Sequence, residues 1–421
     1  MKKLLVIGYV WPEPNSSAAG SRMLQLLDCF QKDGYETIYA SPAQSSEHAV
    51  NLSDLNITPI NIEINSESFD TFISELQPSA VLFDRFMMEE QFAWRVEKYC
   101  PNALRILDTE DLHCLRLARQ KLAKANPQHV VKEVDNQHLY SDQAKREIAA
   151  ILRCDLTVMI SEYEMAFLQE RFSVPANILA YIPFMLDAPN QNEFNDFESR
   201  DHFVSIGNFR HEPNWDAVLC LKQHIWPLIR KKLPKAELHV YGAYPPKKAS
   251  QLHNEKQGFL VKGWVEDAQQ MLSEARVLLA PLRFGAGLKG KFLDAAQCGL
   301  PSVTTSIGSE GLFGQEQDSA NELNTLCTHD DFNEFSKSAV KLYEDEKLWN
   351  SFQQNCQAFI EQRFDKETHK KRLLSQVKDI ELNLDQHRLN NFTGSMLRHH
   401  SLKSTQYMAQ WIEAKNKLSD S

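Results

Sequence analysis

The chain has 421 residues, 43% of them hydrophobic and 24% charged, which suits a soluble globular protein but is too long for one ordinary compact core. Its formal net charge of −10 excludes a generally basic nucleic-acid binder. Eight cysteines with no CxxC pair fall mostly in apolar stretches, so they read as reduced core residues of a cytoplasmic protein rather than a disulfide or zinc framework.

From the N-terminus, Lys2 and Lys3 precede an apolar run over 4–10 that ends in Trp11 and Pro12. The run is short and lacks a small-residue cleavage site, so it is expected to be a buried first strand rather than a signal peptide. An amphipathic helix follows over 21–31, with Met23, Leu24, Leu27 and Phe30 on one face and Gly34 closing it. Short apolar runs at 37–40, 80–83, 104–107 and 156–160 alternate with helical patterns at 89–98 and 144–152. Several of these strands finish on a polar residue, which indicates a parallel sheet whose carboxyl edge carries chemistry.

The segment 187–201, rich in Asn, Asp and Glu, interrupts this rhythm and reads as a linker. Alternation then resumes, with strands expected at 203–206, 238–241, 259–261, 277–280 and 302–305, and helices at 215–229, 268–275 and 291–297. The expected organisation is therefore α/β. A doubly wound domain spans 1–186, a second spans 202–384, and a tail over 385–421 packs back on the first. A basic cluster at Arg230, Lys231, Lys232 and Lys235, followed by Lys247 and Lys248, reads as a solvated helix end, with contact to anionic lipid as its functional alternative. No run is long enough to span a bilayer, so the protein is expected to be soluble or peripheral and not transmembrane. The acidic charge and the lack of a visible amphipathic anchor favour a soluble acceptor for any reaction.

The segment 281–301 holds the densest chemistry. A strand ends near Pro281, and Gly285, Gly287 and Gly290 allow close backbone approach. A helix then begins near Lys289, with its free amides at the cleft. Arg283, Lys289 and Lys291 flank the turn. A diphosphate carries about two negative charges, which a helix N-terminus and lysines can hold together. Asp294, one turn after Lys291, could accept hydrogen bonds from ribose hydroxyls. Read from composition alone, the segment could equally be an ordinary strand–loop–helix with solvated lysines.

Together with Ser302 to Leu312, this segment resembles the donor-site signature of family-4 (group 1) glycosyltransferases. Weaker matches in the same order are Cys154 to Glu164, Ile206 to Phe209 with Pro213 to Ala217, and Gly263 to Asp267. The resemblance implies a GT-B fold: a nucleotide-sugar donor on the C-terminal domain and an acceptor hydroxyl on the N-terminal domain. It further implies retention of configuration and no metal or other cofactor. It assigns donor binding to Arg210, Gly287, Lys289, Lys291, Asp294, Gly308 and Glu310. Two features depart from the family pattern: Ala286 stands where a glutamate is common, and Asp294 replaces a second glutamate. Asn208 and Asn214 stand near an expected Arg and Lys.

On the N-terminal side, Asp108 to Arg116 resembles an Asp-x-x-Asp-Leu-His-x-Leu-Arg stretch of some of these transferases. It offers Asp111 and His113 as catalytic candidates beside Lys289, with Glu110 as an alternative; capping of the following helix is the structural reading. Gly20 and Arg22 are candidates for an acceptor or phosphate loop, whereas Asp84 and Arg85 read as a surface ion pair. The expected activity is transfer of a sugar from a nucleotide diphosphate to a glycan, lipid-linked or protein acceptor, with no nucleic-acid partner. The alternatives are a non-catalytic nucleotide-sugar-binding subunit and a GT-B-fold nucleotide-sugar epimerase.

Overall fold

The structure, a computed structural model, describes residues 1–314 and 325–419. Strands β1 (Lys3–Ile7), β2 (Glu36–Ser41), β3 (Thr58–Asn61), β4 (Ala80–Asp84), β5 (Leu104–Asp108), β6 (Leu156–Met159) and β7 (Leu179–Tyr181) form one parallel sheet in the order β3-β2-β1-β4-β5-β6-β7. A second parallel sheet contains β8 (Asp201–Ile206), β9 (Leu238–Tyr241), β10 (Phe259–Gly263), β11 (Ala275–Ala280), β12 (Ser302–Thr304) and β13 (Leu326–Thr328), in the order β10-β9-β8-β11-β12-β13. The two sheets repeat one plan, and in each the strand order reverses beside the first strand. That point opens a crevice at the carboxyl edge, between β1 and β4 in one domain and β8 and β11 in the other.

The apolar runs of the sequence have a direct physical outcome. Alternation along β1 sends Leu4 and Val6 into one core and Leu5 and Ile7 into another, so both sheet faces are covered by helices. Three short strands escaped the sequence reading, β3, β7 and β13; each lies at the edge of its sheet, where pairing on one side only does not demand an unbroken apolar run. The helix expected over 215–229 is instead two helices, Glu212–Cys220 and Trp226–Lys232, separated by a π-turn at Leu221–Ile225. Pro227 has no amide to donate, and the wider turn accommodates the missing bond.

The chain leaves the second domain earlier than expected. It returns at Asp365 rather than near 384, because helix Lys366–Leu382 buries Leu373, Val377 and Ile380 among Leu4, Leu27 and Tyr35 of the first domain. The two crossing segments are paired: the Leu186 amide donates to the Phe364 carbonyl at 2.8 Å, and the Lys366 amide donates to the Leu186 carbonyl at 3.0 Å. The rest of the described tail stays on the first domain. Arg388 donates to both oxygens of Asp155 at 2.8 Å and to the Ala103 carbonyl at 2.9 Å.

Burial pushes the Asp155 carboxyl up, but the Arg388 hydrogen bonds and the Arg105 charge more than reverse this and hold it below its ordinary value. Replacing Arg388 with Ala leaves a buried carboxylate short of partners and should cost about 3 kcal/mol in urea unfolding at pH 7. A carboxyl lowered by folding stabilises above its unfolded value of about 3.9 and loses that contribution as pH falls through the folded value. The difference between Arg388→Ala and wild type should therefore shrink on acidification; a difference unchanged at low pH would refute the assignment.

Candidate active site

The two carboxyl edges face each other and touch. Gly287, in the loop after β11, has φ +65°, and a Cβ there would lie 2.9 Å from the Asp111 Cβ and 3.1 Å from the Glu110 carbonyl oxygen. Gly290, first residue of helix Gly290–Gln297, leaves no room for a side chain because Ala18 lies 2.7 Å from where a Cβ would stand. These glycines bring the start of that helix against the start of helix Ala18–Lys32 across the cleft.

Lys289 caps helix Gly290–Gln297 and is buried; its Nζ donates to the Gly287 carbonyl at 2.8 Å. Lys291 is half-buried, and its Nζ donates to Asn214 Oδ1 at 2.9 Å. Neither ammonium forms an ion pair among the described residues. Burial lowers both from the ordinary lysine value: Lys289 despite the nearby Glu310 charge, and Lys291 to about 8 despite Asp294. Asp294 is exposed one turn along, and its carboxylate makes no hydrogen bond among the described residues.

Across the cleft, β5 delivers Asp111 and His113. Arg116 donates to Asp111 at 2.6 Å, and His113 Nε2 lies 3.3 Å from the same carboxyl. Burial would raise Asp111, but the Arg116 and His113 charges hold it well below the usual carboxylate range. Burial pushes His113 down to about 4 despite Asp111, so its ring is neutral at pH 7. The ring packs edge-on against Phe86, with centroids 5.6 Å apart. Helix His113–Ala125 is capped from elsewhere: Glu147 accepts from the amides of His113 at 2.9 Å and Cys114 at 2.8 Å. That leaves Asp111 and His113 unspent on capping.

Four expected ligands are otherwise engaged. Arg22 is fully buried and donates to the Pro183 carbonyl and to Asp108, so it ties helix Ala18–Lys32 into its own domain instead of lining a phosphate loop. Gly20 lets that helix start against the backbone of Glu13, 2.5 Å from where a Cβ would stand. The Gly308 amide donates to Thr305 Oγ1 at 3.3 Å, within the cap of the short helix Ser306–Ser309, and is not directed at the cleft. Glu310 is held by Arg119 of the other domain, whose two terminal nitrogens donate to its two oxygens at 2.8 Å each. Arg210 is exposed, with its guanidinium 3.5 Å from the centre of the Tyr244 ring. Tyr244 in turn donates to Glu13 of the first domain at 2.9 Å.

Two further buried groups join the domains. Arg283, grouped with the lysines in sequence, instead pairs with Asp216 and donates to the Ala123 and Asn126 carbonyls. Glu164 Oε1 accepts from the amides of Leu112 at 3.0 Å and Gly287 at 2.8 Å. Burial and the Asp111 charge push the Glu164 carboxyl up to about 8.

Residues 200–345 match the family described as Glycosyl transferases group 1. The matched stretch lies within the C-terminal domain and spans β8 to β13. Solved structures of the same architecture include TarM, at 11% identity over 89% of this chain and 98% of that one, with a TM-score of 0.68. Anabaena HepE in complex with UDP and glucose aligns at 12% identity over 90% and 100%, with a TM-score of 0.65. Sucrose-phosphate synthase from Thermosynechococcus elongatus aligns at 14% identity over 90% and 99%, with a TM-score of 0.64. No curated protein matches the chain in sequence. The chain has the GT-B fold.

The sequence reading took Arg85 for half of a surface ion pair with Asp84. Arg85 sits at the end of β4 with φ +70°, a region costly for a side-chain-bearing residue, and occupies the N-cap of helix Phe86–Tyr99 without making a capping bond. Glu110, at the end of β5, also has a positive φ, +60°. Burial and the neighbouring Asp108 and Asp84 push the Glu110 carboxyl well above its ordinary value, while Arg22 and Arg85 pull the other way. Asp84, expected on the surface, is 4% exposed. A visible signal was the absence of a small polar residue at position 85, where a helix start ordinarily carries one.

Arg119→Ala removes the partner of a buried carboxylate and should destabilise the protein by about 3–5 kcal/mol. Pairing it with Glu310→Ala should cost less than the sum of the single changes in a double-mutant cycle, whereas simple additivity would show that the pair is uncoupled. Glu164, raised by folding, holds its proton better in the folded state, so its effect on stability worsens as pH rises from about 4.3, the unfolded value, to about 8. Glu164→Gln should therefore gain on wild type across that window in pH-resolved unfolding, and a constant difference would count against the buried neutral carboxyl.

Proposed function

We propose that the protein transfers a sugar from a nucleoside-diphosphate donor to an acceptor hydroxyl, with retention of configuration and without a metal or other cofactor. The observation that carries this reading is the pair Lys289 and Lys291 at the start of helix Gly290–Gln297: two cations removed from water, hydrogen-bonded only to neutral oxygens. The Glu310 and Asp294 carboxylates act on them without forming an ion pair, and burial still holds both below the ordinary lysine value, which favours an incoming anion. The donor diphosphate supplies that anion, and the helix N-terminus adds amides and its dipole. As the glycosidic bond breaks, negative charge grows on the leaving phosphate, and the two ammonium groups lower the barrier.

In this reading Asp294 holds the ribose, being exposed, unpaired and one turn from Lys291. Asp111 and His113 face the same loop from the acceptor domain. His113 is neutral at pH 7 and positions the sugar or the acceptor hydroxyl as a hydrogen-bond partner; Asp111, held ionised by Arg116, fixes the ring. The donor loop lies against residues 110 and 111, so the donor enters as the domains part, and their closure excludes water. HepE has been solved with UDP-glucose, which makes UDP and its sugars the first donors to test here.

The test is thermal shift with a panel of nucleoside diphosphates and nucleotide sugars, with chelator present. A ligand at a hundred times its dissociation constant should stabilise by about 2.7 kcal/mol. The shift should favour one base and disappear in Lys289→Ala/Lys291→Ala. Because diphosphate prefers the charged lysine, affinity should also fall as pH rises through about 8. No response to any nucleotide, or an undiminished response in the double variant, would sink the reading. Selective binding without sugar transfer to any acceptor would point instead to a binding subunit.

A further inference from the structure

The tail ends in a helical rod of 28 residues, Phe392–Leu397, a π-turn at Arg398–Leu402 and Lys403–Ser419, which is about 40 Å long at 1.5 Å per residue. Its inner face is fixed to the N-terminal domain. Gly394 lies against the Leu152 carbonyl, Arg398 donates to the Arg153 carbonyl at 3.1 Å, Leu402 and Ala409 are buried, and Glu413 pairs with Arg95. The residues at helical spacing on the outer face are of another kind. Phe392, Met396, Tyr407, Met408, Trp411 and Leu418 are each 46 to 77% exposed.

A row of large apolar side chains on one outer face is not scattered surface hydrophobicity. The charges between them are equally one-sided. His399, His400, Lys403 and Lys415 share the exposed face, and the rod's single carboxylate, Glu413, is turned inward onto Arg95. This occurs in a chain whose net charge is −10. The described helices include none long and apolar enough to cross a membrane, so a bilayer would meet the rod along its side.

We propose that the outer face of this rod docks on the surface of an anionic phospholipid bilayer, with its apolar side chains in the headgroup boundary and its lysines over the lipid phosphates. Tyr and Trp suit that boundary because each has an apolar body and a polar edge. Each lysine close to an anionic surface adds favourable electrostatic energy that salt screens. The charge pattern selects this occupant: a stripe without exposed carboxylates gives a second copy of the same face no counter-charge, whereas anionic headgroups complement it. The sequence alone showed no such anchor, because the tail's outer face is defined only by what its inner face packs on.

The test is co-sedimentation of the full chain with vesicles of phosphatidylcholine alone or with about one third phosphatidylglycerol. Binding is expected to the anionic vesicles only, falling in about 0.5 M salt. Met408→Ser/Trp411→Ser and, separately, Lys403→Glu/Lys415→Glu should each reduce the bound fraction at least about tenfold. Both alter exposed side chains, so circular dichroism and the unfolding midpoint should stay at wild-type values. The proposal is overturned if the wild type ignores anionic vesicles, if either folded variant binds like wild type, or if light scattering finds a dimer that Met408→Ser/Trp411→Ser dissolves. It does not depend on the transferase reading: vesicle binding with no nucleotide response refutes only the latter.

Discussion

The arrangement depends on one buried ion pair between domains. Arg119 rises from helix His113–Ala125 of the first domain, is 0% exposed, and holds Glu310 of the second domain with both terminal nitrogens. Removing two charges from water is expensive, so the pair does not justify itself as stabilisation. Its value is geometric, since a planar guanidinium meets a carboxylate in few orientations. Arg119 also donates to the Gly285 carbonyl at 2.9 Å, so the same side chain sets the height of the glycine loop over the acceptor domain. Arg283 and Glu164 repeat the device on either side, and Gly287 and Gly290 permit the close approach that those bonds require.

Against that frame, arginines and lysines divide the work. The buried arginines of the cleft, Arg22, Arg119 and Arg283, are each matched to a carboxylate and to backbone carbonyls. The lysines at the helix start reach only a carbonyl and an amide oxygen. Arginine stays charged in any surroundings and suits a permanent frame, while lysine yields its proton more readily under burial and leaves a site receptive to an incoming anion. The backbone strain at Arg85 and Glu110 belongs to the opposite wall, at the ends of the two strands that face the donor loop. Strain is retained where the surrounding fold over-determines it, and here that coincides with the acceptor side of the cleft.

The tail gives the molecule a further asymmetry. Helix Lys366–Leu382 completes the core of the first domain, and the rod beyond it covers helices Phe86–Tyr99 and Asp142–Arg153. The domain that faces the donor loop with Asp111 and His113 therefore carries on its helices an aromatic and cationic stripe. Among the described residues the second domain carries no such extension, and its chain connections to the first run through the paired crossing at Leu186 and Asp365.

How far the sequence reaches depends on the range of the interaction. Runs such as 104–107 and 238–241 declared buried parallel strands because burial on both faces demands unbroken apolar sequence, and β9 matches its expected limits residue for residue. The loop 281–289 and Lys289, Lys291 and Asp294 were likewise legible, since a turn, a helix start and one helical step are local constraints. The edge strands β3, β7 and β13 were not, because pairing on one side only does not demand an unbroken apolar run. Nor was the fate of each charge. Arg22, Arg119 and Arg283 look alike in sequence, and only the facing domain decides that Arg22 stays within its own core while the other two cross to the partner domain. The sequence by itself determined two doubly wound sheets and the cationic helix start. Only the tertiary structure decided which charges are spent on holding the domains together, where the tail crosses back, and which side of its last helix is left in water, because each of these depends on groups hundreds of residues apart meeting in one low-dielectric place.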